Sequence, residues 1–153
     1  MNTSEIRVFN RYYDRLLGVF SERALDTAYT MPQARVIGEI YRNPGISANQ
    51  IAGYLEMDRS YLSRMLRKME TEGTIERRPS TESQKIKCLY LTKAGNVQAD
   101  LLEQRSDERI QHQLNALSKQ DIQLLIRDMQ EIKEILTNVF SESYPDKQEK
   151  KDD

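Results

Sequence analysis

The chain has 153 residues, 38 % of them hydrophobic and 31 % charged, and a net charge of −1. That length holds one domain, and so polar a composition leaves a modest core or one completed by a second subunit. Six Gly and four Pro are too few for an all-β protein, no stretch approaches the roughly 18 apolar residues of a membrane span, no signal-peptide pattern opens the chain, and Cys88 is its single cysteine. These points lead us to expect a mainly helical cytoplasmic protein with no membrane association and no internal disulfide.

From Ile6 to Leu25, apolar side chains recur at helical spacing (Ile6, Phe9, Tyr13, Leu16, Leu17, Phe20), which predicts a long amphipathic first helix. Thr30 and Gln33 then form a capping-box pattern, Pro32 suits a first helical turn, and Val36, Ile37, Ile40 and Tyr41 mark one face of a second helix. Asn43-Pro44-Gly45 is a turn. Ser47 with Gln50 repeats the capping box before a helix of about two turns carrying Ile51, Ala52 and Leu55.

Asp58 caps the next helix, and the short gap holding Glu56 and Met57 makes the pair a helix-turn-helix. In this second member Leu62, Met65, Leu66 and Met69 fall at core spacing, which leaves Ser60, Tyr61, Ser63, Arg64, Arg67 and Lys68 on the other faces. Gly73 stands where a helix end requires positive φ. Residues 74–78 and 86–91 then read as two strands of a β-hairpin whose polar connection, Pro79 to Lys85, is an exposed tip.

Thr92 caps a further helix whose charged middle, from Ala99 to Gln113, suits a span between two lobes better than a core position. Ser118 and Asp121 open the last helix, with a stripe of Ile122, Leu125, Met129, Ile132, Leu136, Val139 and Phe140. Leu124, Ile126 and Ile135 widen it beyond what one intramolecular neighbour needs, as expected of an interface. The tail from 145 to 153 is of mixed charge and is expected to be disordered.

Charge is distributed unevenly. Between Asp58 and Lys93, nine cations face five anions, a local excess of four in a chain that is net negative. Such an excess is the footprint of a phosphate-facing surface. Arg64 and Arg67 have the fork that bonds guanine O6 and N7, Ser60, Tyr61 and Ser63 can meet phosphates or base edges, and Arg59 and Lys68 add charge beside them. Arg77, Arg78, Lys85 and Lys87 bring cations to the hairpin.

The run Asp58-Arg59-Ser60-Tyr61-Leu62-Ser63-Arg64, with its continuation from Met69 through Gly73 and Ile75 to Arg77, resembles the recognition region of the MarR family of bacterial transcriptional regulators. Thr30-Met31-Pro32-Gln33 resembles that family's second-helix opening, and Leu89-Tyr90-Leu91-Thr92-Lys93-Ala94-Gly95 its strand-to-helix exit. The resemblance implies a mainly α (α+β) fold: a winged helix-turn-helix with a two-stranded wing over 30–91, flanked by dimerisation helices in 1–29 and 92–144. It implies a homodimeric regulator, a repressor bound to a pseudo-palindromic site on double-stranded DNA and released by a small-molecule effector. It also places Phe9, Tyr12, Tyr13 and Phe20 as candidates for the effector pocket, although an aromatic stripe at this spacing is more often core.

At the wing tip, where members commonly have Asp-x-Arg, this chain has Ser83-Gln84-Lys85, which keeps the charge and loses the planar fork. The segment Arg7 to Tyr13 is also similar to a subgroup fused to an acetyltransferase, but the chain runs out after its last helix and that activity is not expected. Nor is any other catalysis, since no nucleophile–base pair or phosphate loop is recognisable. No cofactor or metal is expected: His112 is the one histidine and has no Cys nearby. Cys88 reads as a small strand hydrophobe more readily than as a redox sensor. The competing functional reading is a ligand-binding or protein-interaction dimer with weak or lost DNA affinity, in keeping with the net charge and the altered wing.

Overall fold

A computed structural model describes residues 3–17, 24–80 and 87–140. Six helices and three short strands follow one another as α1 (Ser4–Leu17), α2 (Met31–Arg42), β1 (Ile46–Ser47), α3 (Ala48–Tyr54), α4 (Arg59–Thr71), β2 (Ile75–Pro79), β3 (Lys87–Leu91), α5 (Lys93–Leu114) and α6 (Lys119–Phe140). Mainly helical, with a small antiparallel sheet, this is the expected winged helix-turn-helix.

Local chemistry accounts for most boundaries. Both expected capping boxes are present: the Thr30 hydroxyl accepts from Gln33 N while Thr30 N donates to Gln33 Oε1 at 2.9 Å, and Ser47 and Gln50 do the same at the start of α3. Asp58 Oδ1 accepts from Tyr61 N at 2.8 Å and caps α4. At the other end of α4, Gly73 has φ +75, with Gly73 N donating to Glu70 O and Thr74 N to Met69 O. This pair of reversed bonds closes a helix on a left-handed residue, where glycine avoids a Cβ clash.

The first helix is shorter than its periodicity suggests. The expectation of helix as far as Leu25 is corrected: Ala24–Asp26 is a single 3-10 turn in which Leu25 and Asp26 have φ 52 and 55, outside the right-handed helical region. Its cause is local. The Ala24 carbonyl accepts from Thr27 N at 2.9 Å and Thr27 Oγ1 at 2.7 Å, and Ala24 N donates to Tyr29 O, so the chain folds back on itself there.

The wing hairpin also gains a third strand. β1 pairs antiparallel with β3, which lies between β1 and β2. The register sets Ile75 opposite Leu91, Arg77 opposite Leu89 and Pro79 opposite Lys87, with Ile46 on the far side of Leu89. Alternation along a strand therefore puts Ile46, Ile75, Arg77 and Leu89 on one face and Ser47, Glu76, Arg78, Cys88 and Tyr90 on the other.

The core lies under the helix-turn-helix. Val36, Ile37 and Ile40 of α2, Ile51 of α3, Leu62, Leu66 and Met69 of α4, Ile75 and Leu89 are fully buried or nearly so, joined by Ala99 and Leu102 of α5. α1 and α6 lie outside this cluster and make only slight contact with other described elements. Leu124, Leu125, Ile126, Met129, Ile132, Ile135 and Leu136 of α6 are all exposed.

Two glycines make opposite predictions. A Cβ at Gly95 would stand 2.0 Å from the Thr74 carbonyl oxygen, whereas one at Gly53 would meet nothing within 4 Å. In urea denaturation, Gly95→Ala is expected to lose about 1–3 kcal/mol through forced overpacking, and Gly53→Ala to gain about 0.5–1 kcal/mol of helix stability. Equal effects of the two would refute the close approach of α5 to the start of the wing.

Candidate nucleic-acid interface

Helix α4 presents its buried side, Leu62, Met65, Leu66 and Met69, to the core. The opposite side carries Arg59, Ser60, Tyr61, Ser63, Arg64, Arg67 and Lys68, all exposed. A helix with residues 60, 63, 64 and 67 on its outer surface offers short hydroxyls interleaved with two guanidinium groups along roughly two turns. Toward its C-terminal end the surface forms an open groove lined by Arg64, Arg67, Lys68, Thr71 and Glu72.

The basic residues differ sharply in what they touch. Lys68 lies 3.7 Å from Glu72. Arg77 Nε donates to Glu70 Oε2 at 3.0 Å, which ties β2 to α4. Arg78 pairs with Glu76, two residues back on the same strand face, and its guanidinium carbon sits 4.5 Å above the centre of the Tyr90 ring. Among the described residues, Arg59, Arg64, Arg67 and Lys87 enter no ion pair, so uncompensated positive charge gathers on α4 and at the exposed start of β3.

Sequence reading missed Glu70 and Tyr90. The missing signal was the alternation of β2, which sets Arg77 on the face of buried Ile75 and Arg78 beside Glu76 on the face of Cys88 and Tyr90. Lys85, together with Ser83 and Gln84 of the expected wing tip, lies outside the described residues, as does the tail 145–153.

The aromatic residues of α1 are not gathered into a cavity. Phe9 and Tyr13 stack with ring centroids 5.6 Å apart and planes 12° from parallel, but Phe9 is 51 % and Tyr12 55 % exposed. Phe9 and Tyr12 border only an open surface depression with Val8, and Phe20 lies outside the described residues. A cleft of about 190 Å³ sits elsewhere, between the 3-10 turn, α2 and α5, bordered by Leu25, Met31, Arg35, Arg42 and Leu102. Cys88 is a free, half-buried thiol on the outer face of the sheet. Among the described residues, no three His, Cys, Asp or Glu side chains are placed to share a metal ion, and no helix is long and apolar enough to cross a membrane.

Comparison with known proteins points to the same segment. The sequence model of the MarR family matches residues 29–87. An uncharacterised helix-turn-helix-type transcriptional regulator of Bacillus subtilis, YybA, is 28 % identical over 96 residues, which are 63 % of this chain and 64 % of that protein. The match thus spans just under two thirds of that relative's length. Among solved structures, Streptococcus pneumoniae FabT in complex with DNA superposes with a TM-score of 0.71 at 16 % identity, covering 87 % of this chain and 95 % of that one. MarR of E. coli in its apo form gives 0.68 at 22 % identity, with coverages of 86 % and 96 %. The regulator SlyA gives 0.64 at 23 % identity, with coverages of 90 % and 94 %. At these identities the superpositions speak to the fold.

Proposed function

We propose that residues 29–87, which match the sequence model of the MarR family, form a winged helix-turn-helix domain of that family, and that the protein is a DNA-binding transcriptional regulator, a homodimeric repressor acting in the cytoplasm on a pseudo-palindromic operator. The observation that carries the proposal is the outer surface of α4, where Arg59, Arg64 and Arg67 stand exposed among hydroxyls and enter no ion pair among the described residues. In this reading α4 lies in the major groove, with Arg64 and Arg67 reading base edges and Ser60, Tyr61 and Ser63 meeting base edges or phosphates. Arg59 and Lys87 add charge facing the backbone, and the same role for Lys85 rests on sequence alone. FabT, a structural neighbour, is known in a DNA complex, which supports the reading.

The homodimer follows from the apolar side chains of α1 and α6. Ile6, Val8 and Phe9 at one end of the chain and the stripe from Leu125 to Leu136 at the other are exposed in the single subunit. Patches of this extent call for a cover, and a second copy brings the same surface in two-fold arrangement. Two recognition helices so related suit half-sites spaced by about one helical turn of DNA. Phe9, Tyr12 and Tyr13 become pocket walls only once a second subunit covers α1, so release by a small-molecule effector at that place is a property of the dimer.

Binding of the purified protein to its own upstream DNA at several salt concentrations tests the central claim. A specific complex whose log affinity falls steeply with log salt is expected, because cations on the protein displace condensed counterions. Absence of binding even at low salt would replace the proposal with a ligand-binding or protein-interaction dimer.

Three variants refine it. Arg64→Ala is expected to cost about 1–3 kcal/mol and to relax preference at one base pair; an equal loss on every sequence would make it a phosphate contact. Lys87→Ala should weaken all sequences alike and flatten the salt slope by roughly one unit. In sedimentation, Met129→Glu on the α6 stripe should shift the protein from dimer to monomer, since a charge placed in an apolar interface has no partner; a dimer of undiminished affinity would exclude α6 from the interface.

A further inference from the structure

The wing carries a tie to the recognition helix that its sequence position disguises. Arg77 projects from β2 on the face of Ile75 and opposite Leu89, both buried, so its side chain is aimed back toward the domain. There it meets Glu70, in the last turn of α4, seven residues away in the chain, through the bond from Nε to Oε2 at 3.0 Å. Both side chains are partly sheltered, at 29 % and 41 % exposure.

We infer that Glu70 and Arg77 form a strut that fixes the angle of the wing against the recognition helix, and that Arg77 acts on DNA as a positioning residue, not as a phosphate contact. This rests on the DNA-binding reading above. The connection between α4 and β2 is only Glu72, Gly73 and Thr74, and Gly73 occupies a left-handed conformation at its centre. Glycine is the residue most free to change φ and ψ; the Thr92 bonds and the β1–β3 pairing hold the base of the hairpin, and a contact farther along β2 is needed to hold its outer part. Arg77 is two residues into the strand, with a planar guanidinium whose charge-assisted bond to a carboxylate has a preferred direction.

Charge bookkeeping points the same way. Glu70 already pairs with Arg77, whereas Lys87, on the same sheet face nearer the tip, is exposed and enters no ion pair among the described residues. For Arg77 to reach a phosphate it would have to leave both its partner and the inner face. A helix and a wing that must meet one duplex together gain from a fixed mutual angle, because their phosphate contacts set register jointly.

Glu70→Gln separates the alternatives because it makes the interface more positive. If Arg77 were a phosphate contact restrained by Glu70, this variant would bind DNA more tightly. The strut predicts the reverse, an operator affinity lowered by about fivefold, the size typical of losing a partly exposed ion pair, with the slope against log salt unchanged. Charge reversal at either position alone should lower affinity, and the exchanged pair Glu70→Arg/Arg77→Glu should restore it to within about twofold.

A second measurement needs no DNA. In a Cys88→Ser background, nitroxide labels at Ser63→Cys on α4 and Lys87→Cys on β3, diluted with unlabelled protein, should report one narrow distance distribution by pulsed electron resonance, broadened by Glu70→Gln. Unchanged or increased affinity in Glu70→Gln, or an unchanged distribution, overturns the strut. Should the parent protein bind no DNA, the regulator reading fails by itself, and the distance distribution still decides whether Glu70 holds the wing.

Discussion

Three parts of the molecule meet on the hydroxyl of Thr92. It donates to the Gly73 carbonyl at 2.6 Å and accepts from Gly95 N at 3.0 Å, while Thr92 N donates to the Thr74 carbonyl at 3.1 Å. The end of the recognition helix, the start of the wing and the start of α5 are therefore held by one side chain and the backbone around it. Gly95 completes the junction by letting the first turn of α5 press against Thr74, where any Cβ would collide. Gly73 closes α4 with the two reversed bonds of a left-handed cap, so the Met69 and Glu70 carbonyls find backbone partners at this junction.

What that junction positions is a surface of unequal charges. A chain of net charge −1 exerts little long-range pull on a polyanion, so the proposed DNA binding rests on cations that are local and uncommitted. Arg59, Arg64 and Arg67 meet that condition on α4, and Lys87 meets it at the wing. Arg77 and Arg78 are committed to Glu70, Glu76 and Tyr90. Total charge counted along the segment therefore overstates the charge left unpaired among the described residues.

Sequence made the helical parts legible because short-range chemistry dictates them. Thr30 with Gln33, Ser47 with Gln50, Asp58 and Gly73 each bond within a few residues, so their spacing alone encodes the structure. α4 was equally readable, since Leu62, Met65, Leu66 and Met69 recur with the helical period. Two residues, Ile46 and Ser47, are too few to establish a period of two, and only pairing across 42 residues or so with β3 makes them a strand. At Leu25 an apolar side chain continued the helical pattern while Thr27 and Tyr29 bound the Ala24 backbone and turned the chain away. Arg77 and Arg78 are adjacent and chemically identical, and the sheet alone sends them to opposite faces. Composition counts them together; geometry does not.

The outer helices are joined to this frame through α5. Its 22 residues begin at the Thr92 junction, and near their far end Arg109 Nη2 and Gln113 Nε2 both donate to the Leu16 carbonyl, at 3.2 and 2.9 Å, capping the last turn of α1. At 1.5 Å per residue the helix spans about 33 Å, so a single rod separates the aromatic stripe of α1 from the exposed basic surface of α4. Near its start, Tyr41 Oη donates to Asp100 at 2.8 Å and Arg42 lies 3.7 Å from Glu103, both linking α2 to the same rod. α1 and α2 are thus tied to α5 by hydrogen bonds, and α5 to the end of α4 through the Thr92 junction, where the left-handed Gly73 is bridged by the Glu70–Arg77 contact.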